Sequence, residues 1–152
     1  MNELKEDWER SPVQGRIADG AHALPVRIYY EDTDFSGLAY HASYLRFLER
    51  GRTELLRALS VAQSDLHALD GFAFVVRRMA IDYLRPARMD DVVVVTTRPT
   101  ALRGASLHLA QEVRRGDETL VRADVVIAAV RSGRPVRMPE SLRSALAALE
   151  AA

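Results

Sequence analysis

The sequence contains no cysteine among its 152 residues. That absence excludes a disulfide framework, a thiolate nucleophile and a cysteine-ligated metal site. Neither charge is in excess, with 21 Lys and Arg against 21 Asp and Glu, which argues against bulk electrostatic binding to nucleic acid or anionic lipid. No apolar run approaches the roughly 18 residues that a membrane helix needs. What is present is a chain of single-domain length with 48 % hydrophobic residues, enough to build a core without covalent staples.

The N-terminal segment 1–24 is polar and acidic, with three Lys or Arg and five Asp or Glu. It has no apolar stretch, and acidic residues stand where a signal peptide would carry basic ones. We therefore expect a cytoplasmic protein with a polar N-terminal arm, 1–24, followed by one folded domain, 25–152.

The first half of that domain predicts a strand, a loop and a long helix. Val26–Asp32 is β-branched and aromatic and ends in acidic turn formers, as a strand does. After a loop containing Gly37, leucines recur at helical spacing over His41–Leu59. A glycine inside a helix costs about 1 kcal/mol relative to alanine, so Gly51 predicts that the helix packs tightly against a sheet at that point.

After the long helix, the sequence changes to an alternation of apolar and polar residues. The sequence predicts a short helix at Val61–Leu69 and a last helix at Glu140–Leu149. Between them it predicts four strands, Phe72–Leu84, Asp91–Arg103, Ala105–Arg115 and Leu120–Val130.

The first of these four strands has one apolar alternating face that a charged residue interrupts. We assign Val75, Met79, Ile81 and Tyr83 to this face, with Arg77 as the interruption. The short connections imply antiparallel pairing, because parallel strands need long crossovers. We therefore predict an α+β fold, an antiparallel sheet of about five strands wrapped around one long helix, whose open edges invite sheet-to-sheet dimerisation.

Asp34 is the principal candidate for chemistry. It lies between a strand end and the start of the long helix, where free N–H groups and a partial positive charge can polarise a carbonyl. A carboxylate there can attack that carbonyl or activate water, although an Asp before a turn is also typical of an Asx turn. His41 lies seven residues later and is the second candidate. The other histidines, His22, His67 and His108, have no recognisable partners and are assigned to the surface.

The segment Tyr29–Arg52 reads YYEDTDFSGLAYHASYLRFLERGR. It closely resembles the signature of the hotdog-fold acyl-CoA thioesterases of the 4-hydroxybenzoyl-CoA thioesterase family, and most of all the bacterial branch associated with the Tol–Pal system. The resemblance implies a hotdog fold for 25–152 and hydrolysis of an acyl-CoA to the free acid and coenzyme A, with an aliphatic acyl group favoured. It implies no cofactor, because coenzyme A is part of the substrate. It also implies a homodimer or homotetramer with the site between subunits.

The same resemblance implies roles for three residues. Asp34 is the essential carboxylate, and both a nucleophilic and a general-base role remain open. His41 accompanies it, either through its backbone N–H or through its imidazole. Tyr30 lines the site, although an aromatic residue on a strand is as commonly part of a core.

Coenzyme A carries phosphates, for which arginine is well suited. We select Arg103, Arg134 and Arg137 as phosphate ligands, against the alternative of a solvated basic loop. Further candidates are Arg77, Arg78, Arg85 and Arg88. We expect the acyl pocket to be lined by the long helix and the strand that begins at residue 72.

Other charged residues receive structural interpretations. Glu49 and Arg52 are three residues apart on the helix and predict a surface ion pair, while their place in the pattern of the resembled family implies a structural role at a subunit contact as an alternative. Glu31 and Asp32 are interpreted as turn and surface charges. The pair Asp32 and Asp34 is not a metal site, because no further hard ligands follow at usable spacing.

Two other functions remain open. One is a hotdog hydratase or dehydratase acting on acyl thioesters. The other is a non-catalytic module that binds acyl-CoA or acyl carrier protein.

Overall fold

A computed structural model describes residues 13–59 and 71–151. The strands are β1 Arg16–Ala18, β2 Ala21–Arg27, β3 Phe72–Tyr83, β4 Val92–Arg103, β5 Ser106–Arg115, β6 Glu118–Arg131 and β7 Arg134–Pro135. The helices are α1 Ser43–Ala58 and α2 Glu140–Ala151, and a 3-10 turn covers Tyr30–Asp32. The predicted short helix at 61–69 and the first twelve residues of the predicted arm lie outside the described residues.

All seven strands belong to one antiparallel sheet in the order β1-β2-β4-β5-β6-β3, with β7 paired to the end of β6. The predicted α+β fold is confirmed, as are the predicted long helix and the four long strands. The sheet has seven strands rather than about five, because β1 and β7 are pieces of three and two residues that a local pattern does not reveal.

The first long strand is displaced from its predicted position. The strand β2 covers Ala21–Arg27, and Tyr30–Asp32 forms the 3-10 turn instead of a strand end. Residues 16–24, which we placed in the arm, thus form β1 and most of β2. Their alternation is concealed by polar residues, because the buried positions of β2 include His22. That histidine is not on the surface, and its Nε2 lies 2.7 Å from the Gln14 carbonyl oxygen.

Helix α1 packs on β2, β4 and β5. Its core-facing apolar side chains are Tyr44, Phe47, Leu48, Leu55 and Leu56. Leu45, which the sequence predicted on that face, is 42 % exposed. The prediction for Gly51 is confirmed, because a β-carbon there would lie 2.8 Å from Val95 Cγ1 and 2.9 Å from Thr97 Oγ1.

A buried polar cluster fixes α1 beside that glycine. The Gln111 amide donates to the Leu48 carbonyl and to Thr97 Oγ1, both at 2.9 Å. Its oxygen accepts from Arg52 Nη1 at 3.0 Å. Arg52 is buried, so the predicted surface ion pair with Glu49 is wrong. Burial lowers the pKa of Arg52, and the Glu49 carboxylate opposes that shift.

A β-bulge at Arg77 divides β3 into two frames. Before it, Phe74 and Val76 pair with buried positions of β6, and after it Met79 and the next alternate residues do so. The predicted membership of Val75 in the inner face is therefore wrong, since the bulge shifts the alternation by one residue. Arg77 interrupts the apolar pattern because it is the extra residue.

We predict that Gly51→Ala destabilises the protein. Alanine is the better helix former by about 1 kcal/mol, but overpacking against the β-branched Val95 costs about 1–3 kcal/mol. The free energy of unfolding, measured with denaturant, should therefore fall. The Val95→Ala exchange should recover part of the loss when it is combined with Gly51→Ala. Stabilisation by Gly51→Ala alone would show that the contact is not tight.

Candidate active site

A short closed loop holds Asp34. Its ends are joined by the isolated bridge between Thr33 and Ala39, and the Asp34 N–H donates to the Leu38 carbonyl at 3.1 Å. The Gly37 N–H returns to the Asp34 carbonyl at 3.0 Å, and Gly37 has a φ of +80°, which favours glycine. The loop therefore sets the direction in which the Asp34 side chain leaves the backbone.

Asp32 ties this loop to α1. Its carbonyl accepts from Ser43 Oγ at 2.9 Å and from the Tyr40 N–H at 2.8 Å. Its buried carboxylate accepts from the Tyr29 N–H at 2.9 Å and from Arg46 at 3.3 Å. Asp32 is thus an anchor rather than the surface charge predicted from the sequence.

The Asp34 carboxylate is exposed and receives two hydrogen bonds on one oxygen. Oδ1 accepts from the Ser36 N–H at 2.8 Å and also from the Ser36 hydroxyl. These donors, the hydroxyl first, lower the pKa of Asp34, and the nearby His41 ring lowers it further against a small effect of burial. Asp34 is therefore ionised at neutral pH.

His41 lies two residues before α1, at the N-terminal end of that helix. The N-cap Ala42 has no side-chain hydrogen bond, and the Ser43 and Leu45 N–H groups donate to the Tyr40 and Ala42 carbonyls. The partial positive charge of this helix end can still act on a ligand in the cleft. The His41 ring lies 4.5 Å from the Tyr40 ring and 6.2 Å from the Tyr83 ring, between centroids. Tyr83 Oη donates to the His41 carbonyl at 3.0 Å, which fixes the chain just before the helix.

Asp34 and His41 face one open cleft of about 350 Å³. The cleft is lined by Asp34, Ser36, Leu38, Ala39, His41, Tyr44, Tyr83, Leu84, Arg85 and Pro86. The Tyr44 hydroxyl accepts from the Ala87 N–H at 3.0 Å. Burial raises the pKa of Tyr44, so its phenol stays protonated.

A network of ions supports the wall opposite Asp34. Arg115 donates to Asp91 at 2.8 Å, to Glu118 at 2.6 Å and to the Pro86 carbonyl at 3.3 Å. The same glutamate holds Arg85 at 3.4 Å, while 65 % of the Arg85 side chain remains exposed. The Arg88 N–H, followed by Arg115, lowers the pKa of Asp91. Arg85 therefore lines the cleft as a cation, and Glu118 pairs with only part of its guanidinium group.

The structure brings together only part of the predicted site. Asp34 and His41 share the cleft, whereas Tyr30 is 78 % exposed in the 3-10 turn and does not line it. Ser36, Tyr44 and Tyr83 also line the cleft, although the sequence did not predict them as site residues. The Asp-x-Ser spacing could have indicated Ser36, because it is typical of a local turn. No local pattern indicates the two tyrosines, because Tyr44 reaches the cleft from α1 and Tyr83 reaches it from β3.

The predicted phosphate ligands lie elsewhere in the chain. Arg103 ends β4 and pairs with Ser106, and Arg134 pairs with Arg131 at the end of β6. Arg137 precedes Met138, whose N–H donates to the Gly104 carbonyl. This end of the sheet is opposite the end where Tyr83 meets the cleft. Tyr83 is level with Val121 of β6, whereas Arg103 is level with Ala128 and Arg134 with Arg131. Seven to ten residues of β6, or roughly 23–33 Å, therefore separate these arginines from the level of Tyr83. Within one chain, Arg103, Arg134 and Arg137 therefore do not reach Asp34.

The described residues include neither a group of metal-ligating side chains nor a helix that could span a membrane. Within 13–59 and 71–151, no three His, Asp or Glu side chains are grouped so as to hold a metal ion. In the same ranges, no helix has both the length and the apolar character needed to cross a bilayer.

We predict that Tyr83→Phe loosens the chain before α1. The exchange removes one hydrogen bond of about 1 kcal/mol, so the Tyr40 and Ser43 amides should exchange with solvent a few-fold faster. Hydrogen exchange followed by NMR measures this rate. Tyr40→Phe is the control, since it removes a neighbouring hydroxyl and leaves the bond to the His41 carbonyl. Equal exchange in all three proteins would contradict an anchoring role for Tyr83.

Comparisons with known proteins agree with this architecture. A family model described as the thioesterase superfamily matches residues 36–122. The chain is 41 % identical over 131 residues to the acyl-CoA thioesterase YbgC of Haemophilus influenzae, covering 85 % of this chain and 96 % of that protein. It is 44 % identical over 121 residues to the acyl-CoA thioester hydrolase YbgC of Escherichia coli O6:H1, covering 78 % and 90 %.

Solved structures show the same relationship. A probable thioesterase from Bartonella henselae superposes with a TM-score of 0.76 at 41 % identity, covering 78 % of this chain and 99 % of that one. A thioesterase from Thermus thermophilus, complexed with coenzyme A and zinc, gives 0.75 at 29 % identity and covers 86 % and 94 %. The predicted family and hotdog fold are confirmed. The chain belongs to the thioesterase superfamily, in the group of the YbgC acyl-CoA thioesterases.

Proposed function

We propose that this protein is an acyl-CoA thioesterase that hydrolyses acyl-CoA to the free acid and coenzyme A. One observation carries the proposal. An ionised carboxylate, Asp34, stands in an open cleft beside the uncapped N-terminus of α1. The YbgC relatives, whose names describe the same activity, support it.

The chemistry follows from that arrangement. A thioester carbonyl near His41 would lie at the positive end of the α1 dipole, which stabilises the oxyanion as it forms. Asp34 then either attacks the carbonyl or takes a proton from the attacking water. The C–S bond breaks, water supplies the oxygen of the new acid, and the departing thiolate gains a proton, which the His41 imidazole would donate. No step calls for a metal or a redox cofactor.

The substrate's two ends have separate supports. Because α1 packs on β2, β4 and β5, the inner face of β3 is only partly covered, and Val76 and Tyr83 are 49 % and 47 % exposed. This apolar strip begins at the cleft and suits an aliphatic acyl chain. Arg85 suits the anionic part of coenzyme A, which is bound in the Thermus thermophilus relative.

We also propose a cytoplasmic location and assembly into at least a homodimer, and the edge strand β3 supports the assembly. It is the last strand in the order of the sheet, and its exposed residues include Val75. Pairing with β3 of a second copy would satisfy its free backbone groups. A neighbouring protomer is also the route by which Arg103, Arg134 and Arg137 would approach coenzyme A, and by which Tyr30 would join a completed site.

Asp34→Asn should lower turnover by at least about 100-fold, the lower range for a positioned acid–base group. We would measure thiol release from acyl-CoAs of increasing chain length and from 4-hydroxybenzoyl-CoA. Thiol reagents are suitable because the protein has no cysteine. Asp124→Asn is the matched control, an exposed aspartate in β6 that should retain activity.

The outcomes separate the candidate functions. Equal activity of wild type and Asp34→Asn would remove Asp34 from the mechanism. Binding of acyl-CoA without thiol release by wild type would favour a binding module. Addition of water to an unsaturated acyl-CoA, again without thiol release, would favour a hydratase.

The oligomer is tested by light scattering coupled to gel filtration. Wild type should have at least twice the mass of one chain. Val75→Lys places a charge on the β3 edge and should shift the protein toward monomer. Thr100→Lys, an exposed position in β4, should not. A wild-type monomer would overturn the assembly.

A further inference from the structure

We propose that Ser36 is a positioning residue for Asp34. The Ser36 hydroxyl holds one carboxylate oxygen of Asp34 so that the other oxygen faces the substrate. The inference rests on the proposed thioesterase function. It assigns a role to Ser36, which takes no part in the reaction steps given above. It is carried by the geometry of the loop between Asp34 and Leu38.

The hydroxyl of Ser36 has a defined direction. The Leu38 N–H lies 3.3 Å from Ser36 Oγ and can only donate to it. Because a hydroxyl has a single proton, that proton is left for Asp34 Oδ1, with which Oγ is in contact. The chain Leu38 N–H to Ser36 Oγ to Asp34 Oδ1 therefore runs one way and ends on the carboxylate.

The loop does not need this hydroxyl for its shape. An Asx turn requires the bond from the Ser36 N–H to Asp34 Oδ1, which any residue other than proline at position 36 would supply. The bridge of Thr33 with Ala39 and the bond from Asp34 N–H to the Leu38 carbonyl close the loop independently. The hydroxyl is thus an additional donor, directed at the one side chain of this loop that faces the cleft as an anion.

Two donors on Oδ1 have two effects. They stabilise the ionised form of Asp34, which keeps its pKa low. They also restrict rotation of the carboxylate, so Oδ2 is the oxygen available for attack or for proton transfer. The other titratable groups that line the cleft are His41, Tyr44, Tyr83 and Arg85. The Ser36 substitutions leave all four groups in place. A difference in pH dependence between wild type and a variant is therefore due to the change at position 36.

The test compares Ser36→Ala with Ser36→Thr. Loss of the hydroxyl should lower kcat by about tenfold with little change in KM, since a hydrogen bond to a charged group is lost at the reacting carboxylate. It should also raise the pKa of Asp34 toward the usual value of about 3.9, because the ionised form loses a donor. Ser36→Thr keeps the hydroxyl and should restore both quantities.

Two readouts are required. The pH dependence of kcat/KM should show its acid limb at higher pH in Ser36→Ala than in wild type. The carboxyl 13C shift of Asp34, followed by NMR titration, should give the same upward displacement. Thermal denaturation checks that all variants are folded.

Defined results would overturn the proposal. An unmoved acid limb and an unmoved Asp34 titration in Ser36→Ala would leave Ser36 as a turn residue only. Equal damage in Ser36→Ala and Ser36→Thr would assign the effect to packing of the loop. The NMR titration needs no turnover, so it still decides the role of Ser36 if wild type proves not to be a thioesterase.

Discussion

The close contact between α1 and the sheet at Gly51 is the constraint on which the rest of the structure depends. At that position the helix backbone approaches Val95 and Thr97 so closely that no β-carbon fits. The missing side chain lets the Gln111 amide reach the helix carbonyl at Leu48. A helix fixed at its middle has its N-terminus at a fixed height above the sheet. The loop carrying Asp34 is fastened to that end through Asp32, so the distance between the carboxylate and the helix N-terminus follows from packing about two turns away.

The second organising feature is that α1 covers only part of the sheet. A helix is about 10–12 Å across with its side chains, and here it lies on β2, β4 and β5 and also contacts β1. Among the inner residues of β3, Val76 and Tyr83 are left about half exposed. The incomplete cover by α1 therefore leaves apolar surface beside the cleft that Tyr83 lines.

Local patterns in the sequence were sufficient for the long elements, because the spacing of leucines predicted α1 and alternation predicted the four long strands. The resemblance of segment 29–52 to a known family singled out Asp34 and His41, both of which line the cleft. Other features depend on contacts between distant residues. Tyr83 reaches His41 across 42 positions and Gln111 reaches Arg52 across 59, which no local pattern encodes. The position of β2 was missed because its alternation includes a buried histidine, and the inner face of β3 because a bulge changes its parity.

The bulge at Arg77 also bears on which sequence changes the strand can absorb. On one side of it the even-numbered residues face inward, and on the other side the odd-numbered residues do. The two halves are therefore out of phase in the sequence but in phase in space. Loss of the extra residue, Arg77, would therefore produce a regular strand in which both halves keep their inward-facing side chains. Loss of a residue elsewhere in β3 would instead exchange the inward- and outward-facing side chains between that position and the bulge. Length changes within either half of β3 are consequently more disruptive than a length change at the bulge itself, although the strand lies at the border of the sheet.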